Sequence, residues 1–457
     1  MIYDLIVLGG GPAGYLACER AAEGGMHVLL LEKNNVGGVC LNEGCIPSKT
    51  LLYSAKIKDN ATDGEKYGVS CENVQIDHAA VIKRKNKVVK KLTAGVAAAL
   101  RNLKVEWVRQ AGKIKEKSGG GYTVLADDGA EYIGKRLLVA TGSEAVMPPI
   151  DGLAEQFEAG FVLTSREMLN IAEVPEKLVV VGGGVIGLEM ASYFHSAGSE
   201  VTVVEMLPAI GGAVDRDVAE LLRKNYEAKG IAFKTECKVM RFEPGAVIYE
   251  ENGQTVRAEC SKALVSIGRR PNTSGIGLEN IGVQLEHGAI KTDEKMQTNV
   301  QNVYAAGDVN GKSMLAHTAY REAEVAVNNM LGKADNMAYN AIPGIIYTNP
   351  EAAGVGETEQ TALKKGMDVT IRKIPMAYAG RYVAENERGD GFIKIIVDNK
   401  QNTLTGVHMV ANYASEIIWG VDALIARQVS IEEIKKIVFP HPTVSEIVRE
   451  AVFRLDE

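Results

Sequence analysis

Two cysteines with four residues between them, Cys40 and Cys45, lie in the stretch "GGVCLNEGCIPSKT" from Gly37 to Thr50. Such a pair could be an exchangeable dithiol, half of a metal site, or two buried thiols. Zinc needs four ligands, usually with a second Cys or His pair nearby. Cys71, Cys237 and Cys260 are isolated and no histidine is close in sequence, so no metal is expected. On an ideal α-helix, residues five apart have Cα atoms roughly 8–9 Å apart, whereas a disulfide needs less than about 7 Å. The two can bridge only where the segment is tightened or distorted, and Gly44 supplies that freedom. A bridge held in imperfect geometry is more readily reduced. Pro47 suits the first turn of a following helix, whose N-terminus stabilises a thiolate. The expected chemistry is reversible thiol–disulfide exchange.

A thiol that attacks or leaves needs a proton partner. His441 in "VFPHPTVSEIVREA" is held in an extended segment by Pro440 and Pro442, just ahead of a helix. Glu446 could orient that imidazole. Thr443-x-x-Glu446 also has the spacing of a capping box, which would give Glu446 a structural task instead. Spacing alone leaves both readings open.

The elements that must position these groups announce themselves by repetition. "YDLIVLGGGPAGYLACERAAEGGMHVLLLEK" reads as strand, glycine turn, helix and strand. Leu5 to Leu8 form an unbroken apolar run, as in a strand buried on both faces. Gly9, Gly11 and Gly14 then match G-x-G-x-x-G, which permits a tight turn, close approach of a pyrophosphate, and close helix–strand packing. Glu32 ends the second strand, placed to accept from ribose hydroxyls. The whole unit recurs in "KLVVVGGGVIGLEMASYFHSAGSEVTVVEML", with Gly182, Gly184, Gly187 and Glu205 at the same mutual offsets. Two dinucleotide folds are expected.

A carboxylate at the second strand's end suits a free 2′-hydroxyl and repels a 2′-phosphate. Met206 to Asp215 contain no basic residue, so Glu205 favours NAD over NADP. Nicotinamide carries hydride and thiols exchange at sulfur, so a mediator must join them, and a flavin fits. Cys40 lies shortly beyond Glu32, which assigns FAD to the first unit and NAD to the second.

The bulk numbers set limits. Hydrophobic content of 46% and charged content of 24% argue for a folded globular chain. A net charge of −7 speaks against nucleic acid as the main partner. The basic cluster Lys83-Arg84-Lys85-Asn86-Lys87 lies among apolar residues at helical spacing and reads as a solvated helix face. No window approaches the roughly 18 apolar residues of a membrane span, so no membrane partner is expected. The N-terminus lacks the pattern of a signal peptide, and cysteines are few for a secreted fold, so a cytoplasmic enzyme is expected.

With those residues laid out, the chain resembles the pyridine nucleotide–disulfide oxidoreductases essentially end to end. The resemblance rests on "GGGPAG", "GGVCLNEGCIPSK", "ATGS", "GGGVIGLEMA", "SIGRRPN", "AAGDV", "MLAH" and "HPTVSE". It implies an α/β fold with two Rossmann-like dinucleotide-binding domains, for FAD and NAD, plus a C-terminal α+β interface (dimerisation) domain. The implied divisions are 1–145 for FAD, 146–268 for NAD, 269–338 completing the FAD site, and 339–457 for the interface. By resemblance, Cys40 is the interchange thiol that meets substrate and Cys45 the thiol that contacts the flavin. Lys49 would lie near the reactive edge of the flavin with Glu189 as its partner, and Asp308 would hold the ribityl chain. His441, oriented by Glu446, would serve the other subunit's disulfide, making a homodimer obligatory. The implied cofactor-binding set is Gly9, Gly11, Pro12, Ala13, Gly14, Glu32, Lys33, Gly38, Lys49, Ala140, Thr141, Gly142, Gly182, Gly184, Ile186, Gly187, Glu205, Gly268, Arg269, Gly307, Asp308, Met314, Leu315, Ala316 and His317.

The implied activity is FAD-dependent oxidation of protein-bound dihydrolipoyl groups, with NAD+ reduced to NADH. The implied partners are the lipoyl-bearing subunits of a 2-oxoacid, acetoin or glycine-cleavage complex. The alternative is another disulfide reductase of the NAD(P)H-dependent, glutathione-reducing kind, against which Glu205 speaks. Mercuric reductases and the larger thioredoxin reductases add a C-terminal redox cysteine or selenocysteine, and no cysteine follows Cys260 here. A redox-silent nucleotide-binding scaffold is the reading from another class, and joint retention of Cys40, Cys45, Lys49, His441 and Glu446 argues against it.

Overall fold

The computed structural model describes residues Met1–Asp456, and the chain divides into two compact units. The first comprises Met1–Thr50, Ile82–Val146 and Gly268–Ala338. At its centre is a five-stranded parallel sheet in the order Val303–Ala305, Leu137–Val139, Leu5–Leu8, Val28–Leu31, Glu106–Val108. The side chains of Leu5 to Leu8 are 0–1% exposed, as an unbroken apolar run requires. On one face Ile6, Leu8, Leu29, Leu31 and Leu137 share a core with Ile114, Tyr122 and Val124 of a four-stranded sheet. Helix Pro12–Glu23 covers the other face and packs against helix Ala316–Met330. Each such buried aliphatic side chain contributes about 1.5–3 kcal/mol.

The second unit comprises Leu51–Val81, Met147–Ile267 and Tyr339–Glu457. It holds a second five-stranded parallel sheet, ordered Val162–Leu163, Lys262–Val265, Lys177–Val181, Glu200–Val204, Ala232–Lys234. Its Val179, Val181, Val204 and Val265 pack on Val239, Phe242, Val247 and Tyr249 of an antiparallel meander. The C-terminal part is a five-stranded antiparallel sheet, ordered Gly344–Ile346, Glu351–Gly356, Thr403–Ala411, Phe392–Asp398, Val369–Pro375. Helices Ala414–Ala426 and Ile447–Phe453 pack against this sheet.

The basic cluster lies on a helix, His78–Asn102, and Lys83, Arg84 and Lys87 are exposed as expected. Lys85 departs from that expectation. It is 2% exposed, and burial holds its ammonium below the usual lysine range. Among the described residues no helix is long and apolar enough to cross a membrane.

Candidate active site

Both glycine turns form in the same way. Gly9 adopts φ +101°, and a Cβ there would lie 2.4 Å from the Ala140 carbonyl oxygen. A Cβ on Gly14 would come within 1.8 Å of the Gly9 oxygen, so the helix can sit this close to its strand only with glycine. Gly182 and Gly187 repeat the pair, with a Gly187 Cβ 2.1 Å from the Gly182 oxygen. Gly11 and Gly184 are the N-caps of helices Pro12–Glu23 and Val185–Ser196, neither with a side-chain cap.

The acidic residues also match. Glu32 accepts from Gly10 N at 2.8 Å and Asn34 N at 2.6 Å, while Glu205 accepts from Gly183 N and Leu207 N, both at 2.7 Å. Each carboxylate is thus fixed beside its glycine turn and keeps lone pairs for a ribose. Nothing lies within 4 Å of a Cβ built on Gly184, and at Gly11 only the Gly38 Cα does, at 3.8 Å. Any side chain there would fill the space a pyrophosphate needs over a helix N-terminus. The residues fit two dinucleotides.

The cysteine segment is seated on the first turn. Gly37 N donates to Gly10 O at 2.8 Å, and a Cβ on Gly38 would lie 2.5 Å from the Gly11 Cα. Helix Gly38–Glu43 stops at Gly44, with φ −147° and ψ −104°, and a new helix, Cys45–Thr62, begins. This break brings the Cys40 and Cys45 Cα atoms to 4.6 Å, and the two form a disulfide. The expected distortion is present at Gly44, where the helix is interrupted. Cys45 opens an 18-residue helix, where the dipole favours a thiolate. Lys49 follows one turn later and is half-buried.

Four segments of the first unit converge at the end of strand Val303–Ala305. Thr141 and Asn272 hold each other through Thr141 Oγ1 to Asn272 O, 2.7 Å, and Asn272 Nδ2 to Thr141 O, 3.1 Å. Arg269 donates to Ser143 Oγ and O, both at 2.7 Å, and Ser143 Oγ donates in turn to the Asp308 carboxylate. Gly307 N donates to Glu322 Oε2 at 2.6 Å, and Glu322 is fully buried. Met314 and Leu315 lead into helix Ala316–Met330, which His317 enters exposed. Gly142 and Gly268 both adopt positive φ, while Lys33 is exposed beyond Glu32. Ser143 and Glu322 were missed as positioning residues. The available signal was a glutamate on a helix face otherwise made of Ala319, Ala323 and Ala326.

In the second unit, Ile186 follows the glycine turn and Glu189 lies one turn further, buried and accepting from Tyr347 N at 3.1 Å. His441 Nδ1 and Glu446 Oε2 are 2.7 Å apart, with side chains 77% and 12% exposed. The capping box does not form. Glu446 is itself the N-cap of helix Ile447–Phe453, without a side-chain cap, and Thr443 donates instead to Pro440 O at 2.8 Å. The helix starts too late for Thr443 to cap it, which leaves the Glu446 carboxylate to the imidazole. The cysteines belong to the first unit and the His–Glu pair to the second.

Comparisons with known proteins agree with this geometry. Residues 3–323 match the model of the pyridine nucleotide-disulphide oxidoreductases, and residues 342–452 match that family's dimerisation domain. A dihydrolipoyl dehydrogenase of Mycoplasma pneumoniae is 37% identical over 98% of this chain and 97% of its own length. That of Geobacillus stearothermophilus is 37% identical over 98% and 95%. Among solved structures, LpdA from Mycobacterium tuberculosis superposes with a TM-score of 0.89 at 26% identity, covering 99% of each chain. The chain belongs to the pyridine nucleotide-disulphide oxidoreductase family.

Proposed function

We propose that this chain oxidises protein-bound dihydrolipoyl groups to the lipoyl disulfide through Cys40–Cys45, with NAD+ as the electron acceptor. The observation that carries this reading is the Cys40–Cys45 disulfide seated on the first of two dinucleotide turns. Full-length relatives named dihydrolipoyl dehydrogenase support it. FAD belongs to the first turn and NAD to the second, and the enzyme is a homodimer, for which it carries a dimerisation domain.

A substrate thiol gives its proton to Nε2 of the partner subunit's His441 and attacks Cys40 Sγ, breaking the Cys40–Cys45 bond, so Cys45 leaves as a thiolate at its helix N-terminus. The second substrate thiol then attacks the first substrate sulfur and closes the lipoyl disulfide, its proton passing to Cys40 as that sulfur leaves. Glu446 holds Nδ1 and offsets the imidazolium charge. When bound, FAD supplies passage of the electron pair from the reduced cysteines to NAD+. Lys49 acts near the reactive edge of the flavin, and Asp308 holds the ribityl chain. Residues 1–145, 146–268, 269–338 and 339–457 form FAD, NAD, central and interface domains. The reaction runs in the cytoplasm, on lipoyl-bearing subunits of a 2-oxoacid, acetoin or glycine-cleavage complex.

The test is a panel of NADH- and NADPH-linked rates with lipoamide and glutathione disulfide. Preference for NADH and lipoamide supports the reading. Preference for NADPH and glutathione disulfide overturns it.

A further inference from the structure

The loop after Glu205 packs on the second glycine turn. Gly211 N donates to Gly183 O at 2.7 Å, and Ile210, fully buried, sits against Gly183. Leu207 N is held by Glu205 itself. The loop ends at Asp215, which is 0% exposed and caps helix Arg216–Lys229 through Asp217 N at 3.0 Å.

Asp215 is gripped from another sheet. Lys394, at 1% exposure in strand Phe392–Asp398, places Nζ 2.8 Å from Asp215 Oδ1, 2.6 Å from Asp217 Oδ2 and 2.7 Å from Glu359 Oε2. Glu359 N also donates to Asp215 Oδ2, at 3.3 Å. The three ammonium donors thus have three carboxylates, and Lys373, 3.1 Å from Asp217, adds a second cation. His408 lies opposite Lys394 on the next strand and gives its Nε2 proton to Glu357 O. Buried ion pairs add little stability over well-packed apolar residues, but breaking one partner is costly. What this cluster supplies is position, because Asp215, Asp217 and Glu359 are all tied to one buried cation.

We infer that Lys394 is a positioning residue for dinucleotide binding, setting NAD affinity through the loop from Met206 to Asp215 without touching the ligand. The inference rests on the assignment of NAD to the second turn. It is tested in the purified holoenzyme by NADH binding, the KM values for NAD+ and dihydrolipoamide, and thermal unfolding of K394M, D217N and E359Q. K394M is expected to weaken NADH binding and raise the NAD+ KM in parallel by about tenfold, leaving the dihydrolipoamide KM within about twofold. D217N and E359Q, which keep the buried cation, should show smaller shifts of the same selectivity, and they decide the matter if K394M fails to fold. Equal NADH affinity in wild type and the folded variants, or equal shifts in both KM values, overturns the inference. Failure of the wild type to bind NADH overturns the assignment beneath it instead.

Discussion

His441 donates Nδ1–H to Glu446 Oε2 across 2.7 Å, with the ring exposed and the carboxylate largely buried. Because a carboxylate oxygen accepts, the neutral ring keeps its proton on Nδ1 and presents Nε2 as a base. His441→Gln should therefore slow dihydrolipoamide oxidation by about 100-fold or more. Stopped-flow reduction of the bound flavin by NADH should remain near wild type, and equal loss of both half-reactions would count against the role. Glu446→Gln should cost about ten- to a hundred-fold in the same dithiol step.

The two glycine turns permit a paired prediction. Gly14→Ala forces a Cβ to within 1.8 Å of the Gly9 oxygen, and Gly187→Ala forces one to within 2.1 Å of the Gly182 oxygen. Overpacking of this kind costs about 1–3 kcal/mol or more. The first variant should purify depleted of flavin, read from its visible absorbance. The second should retain flavin and lose NADH binding.

Glu205 holds Gly183 N and Leu207 N beside the second glycine turn. Glu205→Ala should raise the NAD+ KM about tenfold and narrow the preference for NAD+ over NADP+. The ratio of kcat/KM for the two nucleotides measures this. An unchanged ratio would remove Glu205 from specificity.

Burial holds the His408 imidazole below its ordinary value. At Asp217 burial works upward, but hydrogen bonds from Lys394 and Lys373 outweigh it and keep the carboxyl low. In both cases the unfolded chain takes up the proton first, so stability is full above the unfolded value and falls as pH drops through the folded one. Urea unfolding should show a first loss beginning below about pH 6.5 and a further loss below about pH 4, at no more than about 1.4 kcal/mol per pH unit for each proton. His408→Gln should remove the first phase and keep the second.

Much of the site was legible because its determinants are local. Gly9, Gly11 and Gly14 act within one turn, Glu32 reaches back to that turn, and Cys40, Gly44 and Cys45 set their own geometry. The capping-box reading failed because Thr443 and Glu446 obey a local rule whose helix begins only at Ile447. Lys85 was misread because a charged run on a helix still has one inward face. Lys394 and Asp215 are 179 residues apart, and neither stands out among its neighbours until the sheet brings them together. Glu322 is hidden for the same reason, since its partner, the Gly307 amide, precedes the helix.

The central claim is that the Cys40–Cys45 disulfide carries electrons from a dihydrolipoyl group towards NAD+. The most direct measurement is NAD+ reduction by dihydrolipoamide in wild type, Cys40→Ser and Cys45→Ser, with flavin content checked in each. Turnover in the wild type and its loss by about a thousandfold or more in both flavin-loaded serine variants is the predicted result. Substantial NAD+ reduction without either cysteine would contradict the account.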